Sequence, residues 1–213
     1  MKHLLENWFY FFCLYVTFVY FKVCHRARFL SKDKVPLEGG LVICMNHASF
    51  FDPPLAAAGI RPRTTWFLAR KTLWKNPFFG KLITALNSIP VDQDRPDMSS
   101  LKNMIKKLKQ EQAILLFPEG QRTLDGAFCA AQPGVGLIVA KSKKPILPVR
   151  VFGSYEAWPR NGKIKLFTPI TVVVGDSFSL NDMIDSWQGN ERALYQAISE
   201  KIIEQIALIK IPA

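Results

Sequence analysis

The sequence is poor in the residues that build metal centres and disulfide frameworks, with four cysteines and three histidines in 213 residues. Cys13, Cys24, Cys44 and Cys129 fall at no metal-binding or redox spacing and sit mostly in apolar surroundings. That usage fits reduced thiols in a cytosolic setting, and metal binding is not expected. A third glycine is missing after Gly134 and Gly136, so no dinucleotide fingerprint is read there. No Gly-x-Ser-x-Gly elbow occurs, which argues against a serine nucleophile of the lipase kind. Internal repeats and low-complexity tracts are likewise missing. Acidic residues are scarce, 17 against 28 Lys and Arg, which leaves a net charge of +11.

A basic surface can serve nucleic acid, but here the aromatics are gathered at the amino end instead of interleaved with Lys and Arg, and no nucleic-acid motif appears. Anionic lipid headgroups and phosphorylated substrates are the better partners. The length suits one α/β domain with a sizeable core and is too short for two comfortable ones. Hydrophobic residues make up 49%, at the upper end for a soluble protein, and part of that excess lies between Trp8 and Phe21. These fourteen residues carry no charge and nine of them are aromatic. As a helix they would rise about 21 Å, short of a ~30 Å hydrocarbon core. Trp and Tyr favour the headgroup level, so the segment reads as an interfacial or re-entrant anchor, with His25, Arg26, Arg28, Lys32 and Lys34 as its basic flank. Residues 1–35 are therefore assigned to membrane attachment and 36–213 to a catalytic domain on the cytoplasmic face.

The domain is organised around Asn46-His47-Ala48-Ser49-Phe50-Phe51-Asp52. Leu41 to Met45, just before it, is a continuous apolar run of the kind buried on both faces of a sheet. Asp52-Pro53-Pro54 then opens a helix, with an acidic N-cap and proline in the first turn. His47 thus lies in a strand-to-helix turn, where open α/β sheets bind ligands. On a regular helix residues five apart diverge by about 140°, so His47 and Asp52 meet only across an irregular turn. A neutral imidazole accepts a proton, and a carboxylate on its other nitrogen fixes the tautomer and stabilises the imidazolium. On its own the spacing equally suits a helix cap beside a turn histidine.

Further strands are predicted at 64–69, 88–91, 113–117 and 146–152, with an antiparallel pair formed by 164–167 and 170–174. Helices are predicted at 79–86, 98–110, from Pro133 through Ala140, and at 191–209. A second constellation, Phe117-Pro118-Glu119-Gly120-Gln121-Arg122, follows a strand end, as do Lys71 and Arg95. Arginine suits phosphate through two parallel hydrogen bonds. The fold class expected is α/β, a single domain with a mixed, largely parallel sheet flanked by helices.

Taken together, Asn46-His47-x4-Asp52 and Phe117-Pro118-Glu119-Gly120-x-Arg122 resemble the first and third blocks of the 1-acylglycerol-3-phosphate acyltransferase family. Lys71 with Pro77 and Gly80, and Ile146-Leu147-Pro148-Val149, are similar to two weaker blocks, and the likeness runs from about Gly39 to Gly153. In Ile89-Pro90-Val91-Asp92 the family's following arginine is replaced by Gln93, with Arg95 two residues on. The resemblance implies acyl transfer from acyl-CoA or acyl carrier protein to lysophosphatidic acid, with no cofactor. His47 is then the base and Asp52 its partner. Glu119 and Gly120 shape the acceptor pocket, and Lys71, Arg95 and Arg122 hold the phosphate. The N–H groups of the 46–49 turn are candidate oxyanion donors. Three alternatives stay open: another lysophospholipid or lyso-amine acceptor, a membrane-associated thiol hydrolase using Cys44, and a catalytically inert membrane-surface protein.

Overall fold

The computed structural model describes residues 2–92 and 98–212, with side chains from Trp8 onward. In chain order its elements are α1 (Lys2–His25), β1 (Arg28–Leu30), β2 (Leu41–Met45), α2 (Asp52–Gly59), β3 (Thr65–Arg70), α3 (Pro77–Ala85), β4 (Ser88–Val91), α4 (Met98–Lys109), β5 (Ala113–Leu116), α5 (Pro133–Ser142), β6 (Ile146–Phe152), α6 (Ser154–Ala157), β7 (Thr171–Val174), α7 (Asn181–Asp185) and α8 (Glu191–Leu208).

Among the described residues the strands make one seven-stranded sheet in the order β1-β7-β6-β2-β5-β3-β4. Every adjacent pair is parallel except β6 with β7. The central strand β2 is wholly buried, as its unbroken apolar run requires. Leu41, Ile43 and Met45 face one side with α2 and the Phe21 end of α1. Val42 and Cys44 face the other, with Met104 and Leu108 of α4 and with α5 and α8. Because β2, β3, β5 and β6 run the same way, the chain leaves all four at one edge of the sheet. Ligands of open α/β sheets bind at that carboxyl edge.

Two features differ from the sequence expectation. Residues 164–167 form no strand; the Phe167 N–H goes instead to the Cys24 carbonyl at 2.6 Å and the Lys165 N–H to the Ala157 carbonyl at 2.7 Å. With that edge missing, β7 pairs with β6 on one side and with β1 on the other. Strand β1 thereby brings part of the basic flank into the sheet. Gly136 has a packing role: a Cβ there would lie 1.9 Å from the Tyr195 carbonyl oxygen, so its absence lets α5 and α8 approach closely.

Helix α1 is long and apolar enough over Trp8–His25 to cross a bilayer, by length and composition. It is not a free stalk. Phe21 belongs to the main core, Tyr10 and Leu14 pack with Ala57 of α2, and the Tyr10 hydroxyl accepts the Thr65 N–H at 3.3 Å. Its remaining surface leaves Trp8, Phe12, Tyr15 and Val23 exposed.

Candidate active site

The turn after β2 is held open by its own side chains. Asn46 continues the β2–β6 ladder without a strand backbone: its amide donates to the Val151 carbonyl at 3.1 Å and accepts the Val151 N–H at 2.8 Å. Residues 47–51 are thus released from strand geometry while their start stays fixed to the sheet. Asp52 opens α2, but its carboxylate turns back on the turn. Oδ2 accepts the Ala48 and Ser49 N–H groups at 2.6 Å each and lies 2.9 Å from His47 Nδ1.

This geometry orients the imidazole. An ionised carboxylate only accepts, so Nδ1 carries the proton and Nε2 presents a lone pair. Asp52 is fully buried, whereas the His47 side chain is 18% exposed and so accessible to a substrate. Phe117, the residue after β5, stacks on the imidazole with centroids 3.9 Å apart, fixing its plane. Beside His47 opens a cavity of about 300 Å³, lined in part by Glu119, Phe128, Arg150, Phe152 and Tyr155.

Glu119 is 2% exposed, and its two oxygens accept the N–H groups of His47 and Cys129, each at 2.7 Å. It clasps the turn after β2 to the loop after β5. Burial raises its pKa, and the two N–H donors offset that rise only in part. Gly120 has φ +66°, and a Cβ there would come 2.9 Å from Gln132 Cγ, so this position serves the tight turn. Glu119 thus lines the cavity and also holds the backbone of the site, while Gly120 acts through the turn.

Arg122 lies with its guanidinium 3.4 Å from the centroid of Phe50, in the same turn as His47. Phe50 in turn packs on Trp158 at 4.8 Å. The Arg122 Nη1 atom is buried and has no hydrogen-bond partner among the described residues. Burial lowers its pKa first, then the charges of Arg160 and Arg70, while Asp52 acts in the opposite direction. The structure thus brings His47, Asp52 and Arg122 to one place. Lys71 lines a separate hollow with Ile89, Pro90, Asp92, Ser99, Ser100 and Asn103. Arg95 and Gln93 lie outside the described residues.

One sequence expectation is corrected by these contacts, and the thiol-hydrolase alternative is opposed by them. The N–H groups of His47, Ala48 and Ser49 are committed to Glu119 and Asp52, so they are not free oxyanion donors. Cys44 is fully buried in β2 on the α4 and α5 side of the sheet, and burial pushes its thiol pKa up, the opposite of what a nucleophile needs. Sequence reading missed Phe50, Phe117, Arg70 and Arg160. Arg70 ends a strand as Lys71 follows one, and Trp158-Pro159-Arg160-Asn161-Gly162 carries the marks of a turn.

Residues 26–152 match the family model described as Acyltransferase. Over 157 residues the chain is 29% identical to the 1-acyl-sn-glycerol-3-phosphate acyltransferase of Bacillus subtilis (strain 168), covering 73% of this chain and 78% of that protein. The protein of the same name from Streptococcus pneumoniae (strain ATCC BAA-255 / R6) is 27% identical over 140 residues, 65% of this chain and 52% of the relative, about half its length. Among solved structures, the 1-acyl-sn-glycerophosphate (LPA) acyltransferase PlsC from Thermotoga maritima has the same fold, with a TM-score of 0.63 at 22% identity over 87% of this chain and 74% of that one.

Proposed function

Because this chain belongs to the acyltransferase family, we propose that it transfers a fatty acyl group from an acyl thioester to the free hydroxyl of 1-acylglycerol-3-phosphate, forming phosphatidic acid. The observation that carries this reading is the oriented imidazole: His47 is held by Asp52 on one nitrogen and open on the other, with Arg122 packed on Phe50 of the same turn.

In the proposed reaction His47 Nε2 takes the hydroxyl proton as the oxygen attacks the thioester carbonyl carbon. Buried Asp52 stabilises the imidazolium that forms. Collapse of the tetrahedral intermediate breaks the C–S bond, and the imidazolium returns the proton to the departing thiolate of coenzyme A or acyl carrier protein. General-base assistance of this kind contributes roughly 10²–10⁴ in rate. Arg122 holds the acceptor phosphate.

The acceptor and product are membrane lipids, and α1 supplies the contact. One face of α1 is spent on the domain core, so its exposed aromatic face is set to lie in the membrane interface. Phe78 of α3, 85% exposed, extends the apolar surface. The basic surface and reduced thiols fit the cytoplasmic leaflet. The decisive test is a reaction of purified protein in detergent with labelled acyl thioester and lysophosphatidic acid, wild type beside His47→Ala. Loss of transfer with membrane binding intact supports the reading, and full activity in the variant removes His47 from the base role.

A further inference from the structure

Three guanidinium groups reach the carboxyl edge of the sheet from three separate segments. Arg70 is the last residue of β3, Arg122 follows β5, and Arg160 lies in the turn after α6. Strands β3 and β5 are hydrogen-bonded neighbours running in parallel, with Phe67 opposite Leu115, so Arg70 and the loop carrying Arg122 emerge side by side. Arg160 approaches from across the cleft, its Nη1 3.4 Å from the Arg122 carbonyl oxygen. Its turn is anchored to the His47 turn, since Ser49 Oγ donates to the Trp158 carbonyl at 2.8 Å. The Gly162 N–H closes the turn onto the Pro159 carbonyl at 3.1 Å.

Among the described residues, no carboxylate forms an ion pair with any of the three. The charges of Arg160 and Arg70 act against that of Arg122, and Asp52 acts in the opposite direction. Asp52 is already engaged by His47 and two backbone N–H groups. Arg122 Nη1 is buried and unpartnered, and Arg160 Nη1 donates only to the Arg122 backbone carbonyl, so among the described residues the cluster has no anionic acceptor. Such a cluster is unfavourable in the free protein and is relieved most by the ligand with the most negative charge in the least volume.

We propose that Arg160 and Arg70 complete, with Arg122, a three-guanidinium socket that takes the acceptor's phosphomonoester as its dianion and so discriminates against phosphodiester lysolipids. This rests on the acyl-transfer reading. A phosphomonoester carries up to two charges at neutral pH and three terminal oxygens, enough to meet several guanidinium groups at once. A phosphodiester headgroup brings one charge, and its esterified oxygen cannot occupy a donor-lined position without leaving a guanidinium unmatched.

The test compares wild type, Arg160→Gln, Arg160→Lys and Lys163→Gln, all checked by circular dichroism. Lys163→Gln removes the same charge from the exposed part of the same loop. Acylation of lysophosphatidic acid and of lysophosphatidylglycerol is followed in mixed micelles. For Arg160→Gln, kcat/KM toward lysophosphatidic acid is expected to fall about tenfold, mainly through KM, and toward lysophosphatidylglycerol less than threefold. Arg160→Lys should recover part of the loss, and Lys163→Gln should match wild type. Equal losses on both acceptors, or none on either, overturn the socket.

A second arm needs no turnover: millimolar inorganic phosphate should raise the melting temperature of the wild type and raise it less in Arg160→Gln. A phosphate shift that depends on Arg160 in a protein inactive on every lysolipid would retain the socket and refute the acyl-transfer reading. A shift equal in both proteins would refute the socket.

Discussion

The Arg122 guanidinium rests on the ring of Phe50, 3.4 Å from its centroid, and this contact joins the two polar segments that the sequence holds about 70 residues apart. One residue comes from the turn carrying the base and the other from the loop after the neighbouring strand. The cation is therefore placed relative to His47 by a direct contact as well as by the sheet.

Phe50→Ala is expected to release Arg122 while leaving the dyad in place. Phe50 is 49% exposed, so the stability loss should be small, of the order of 1 kcal/mol for an exposed cation–π contact. Substrate affinity should suffer more, with KM for lysophosphatidic acid rising several-fold and kcat changing less. Steady-state kinetics on the two proteins checks the split.

Asp52→Asn isolates charge from geometry. All three contacts to Oδ2 are donor contacts, from Ala48, Ser49 and the His47 ring, and an amide oxygen accepts all three. The turn should keep its shape while the imidazolium loses its counter-charge. The expected result is a fall in kcat of about 10²–10⁴, with a stability loss of about 1–3 kcal/mol because the new NH₂ group takes the place of the buried, unpartnered Oδ1.

How much of this was legible in the sequence follows from what each residue depends on. Strand β2 and the turn after it are local facts, written in an apolar run, two prolines and an acidic residue, so their order along the chain could be read directly. That His47 turns toward Asp52 depends on Asn46 holding β6 and on Glu119 holding the 47 amide, contacts 105 and 72 residues away in sequence. Arg160 carries no motif at all; the packing of Trp158 on Phe50 and the Ser49 hydroxyl on the Trp158 carbonyl, contacts remote in sequence, hold its turn beside the site. The choice between Arg70 and Lys71 turns on where a strand stops, a boundary that local pattern does not resolve.

Cys44→Ala should leave acyl transfer within about twofold of wild type. The thiol is fully buried in β2, and the substitution removes one small apolar group from the core, a cost of roughly 1 kcal/mol. Covalent acylation at Cys44 found by mass spectrometry would replace direct transfer with a thiol intermediate.

Glu119→Gln should loosen the site from behind. One carboxylate oxygen is replaced by an NH₂ group that faces a backbone N–H, leaving a buried donor without an acceptor, at about 1–3 kcal/mol. The pH dependence has a defined sign. Burial raises the native pKa of Glu119 above its unfolded value, so just above the ordinary carboxylate range, near pH 4, the folded protein holds more protons than the unfolded one. This group therefore makes stability fall as pH rises through that window, and urea titrations of Glu119→Gln should show that slope removed.

Two phenylalanines on α1 should separate folding from membrane contact. Phe21 is 1% exposed within the main core and touches Phe51 beside the dyad, with ring centroids 5.2 Å apart. Truncation to alanine should cost about 3–5 kcal/mol and lower activity through lost structure. Phe12 is 51% exposed on the outward face of the same helix. Phe12→Ala should leave the melting temperature unchanged and weaken binding to anionic vesicles, since burying an aromatic side chain in the interface is worth about 1.5–3 kcal/mol. A helix that acted only as a tether would show the reverse at Phe21, with vesicle binding lost and stability untouched. Vesicle sedimentation beside thermal melts therefore tells whether α1 is an anchor appended to the domain or a wall of it that also meets the membrane.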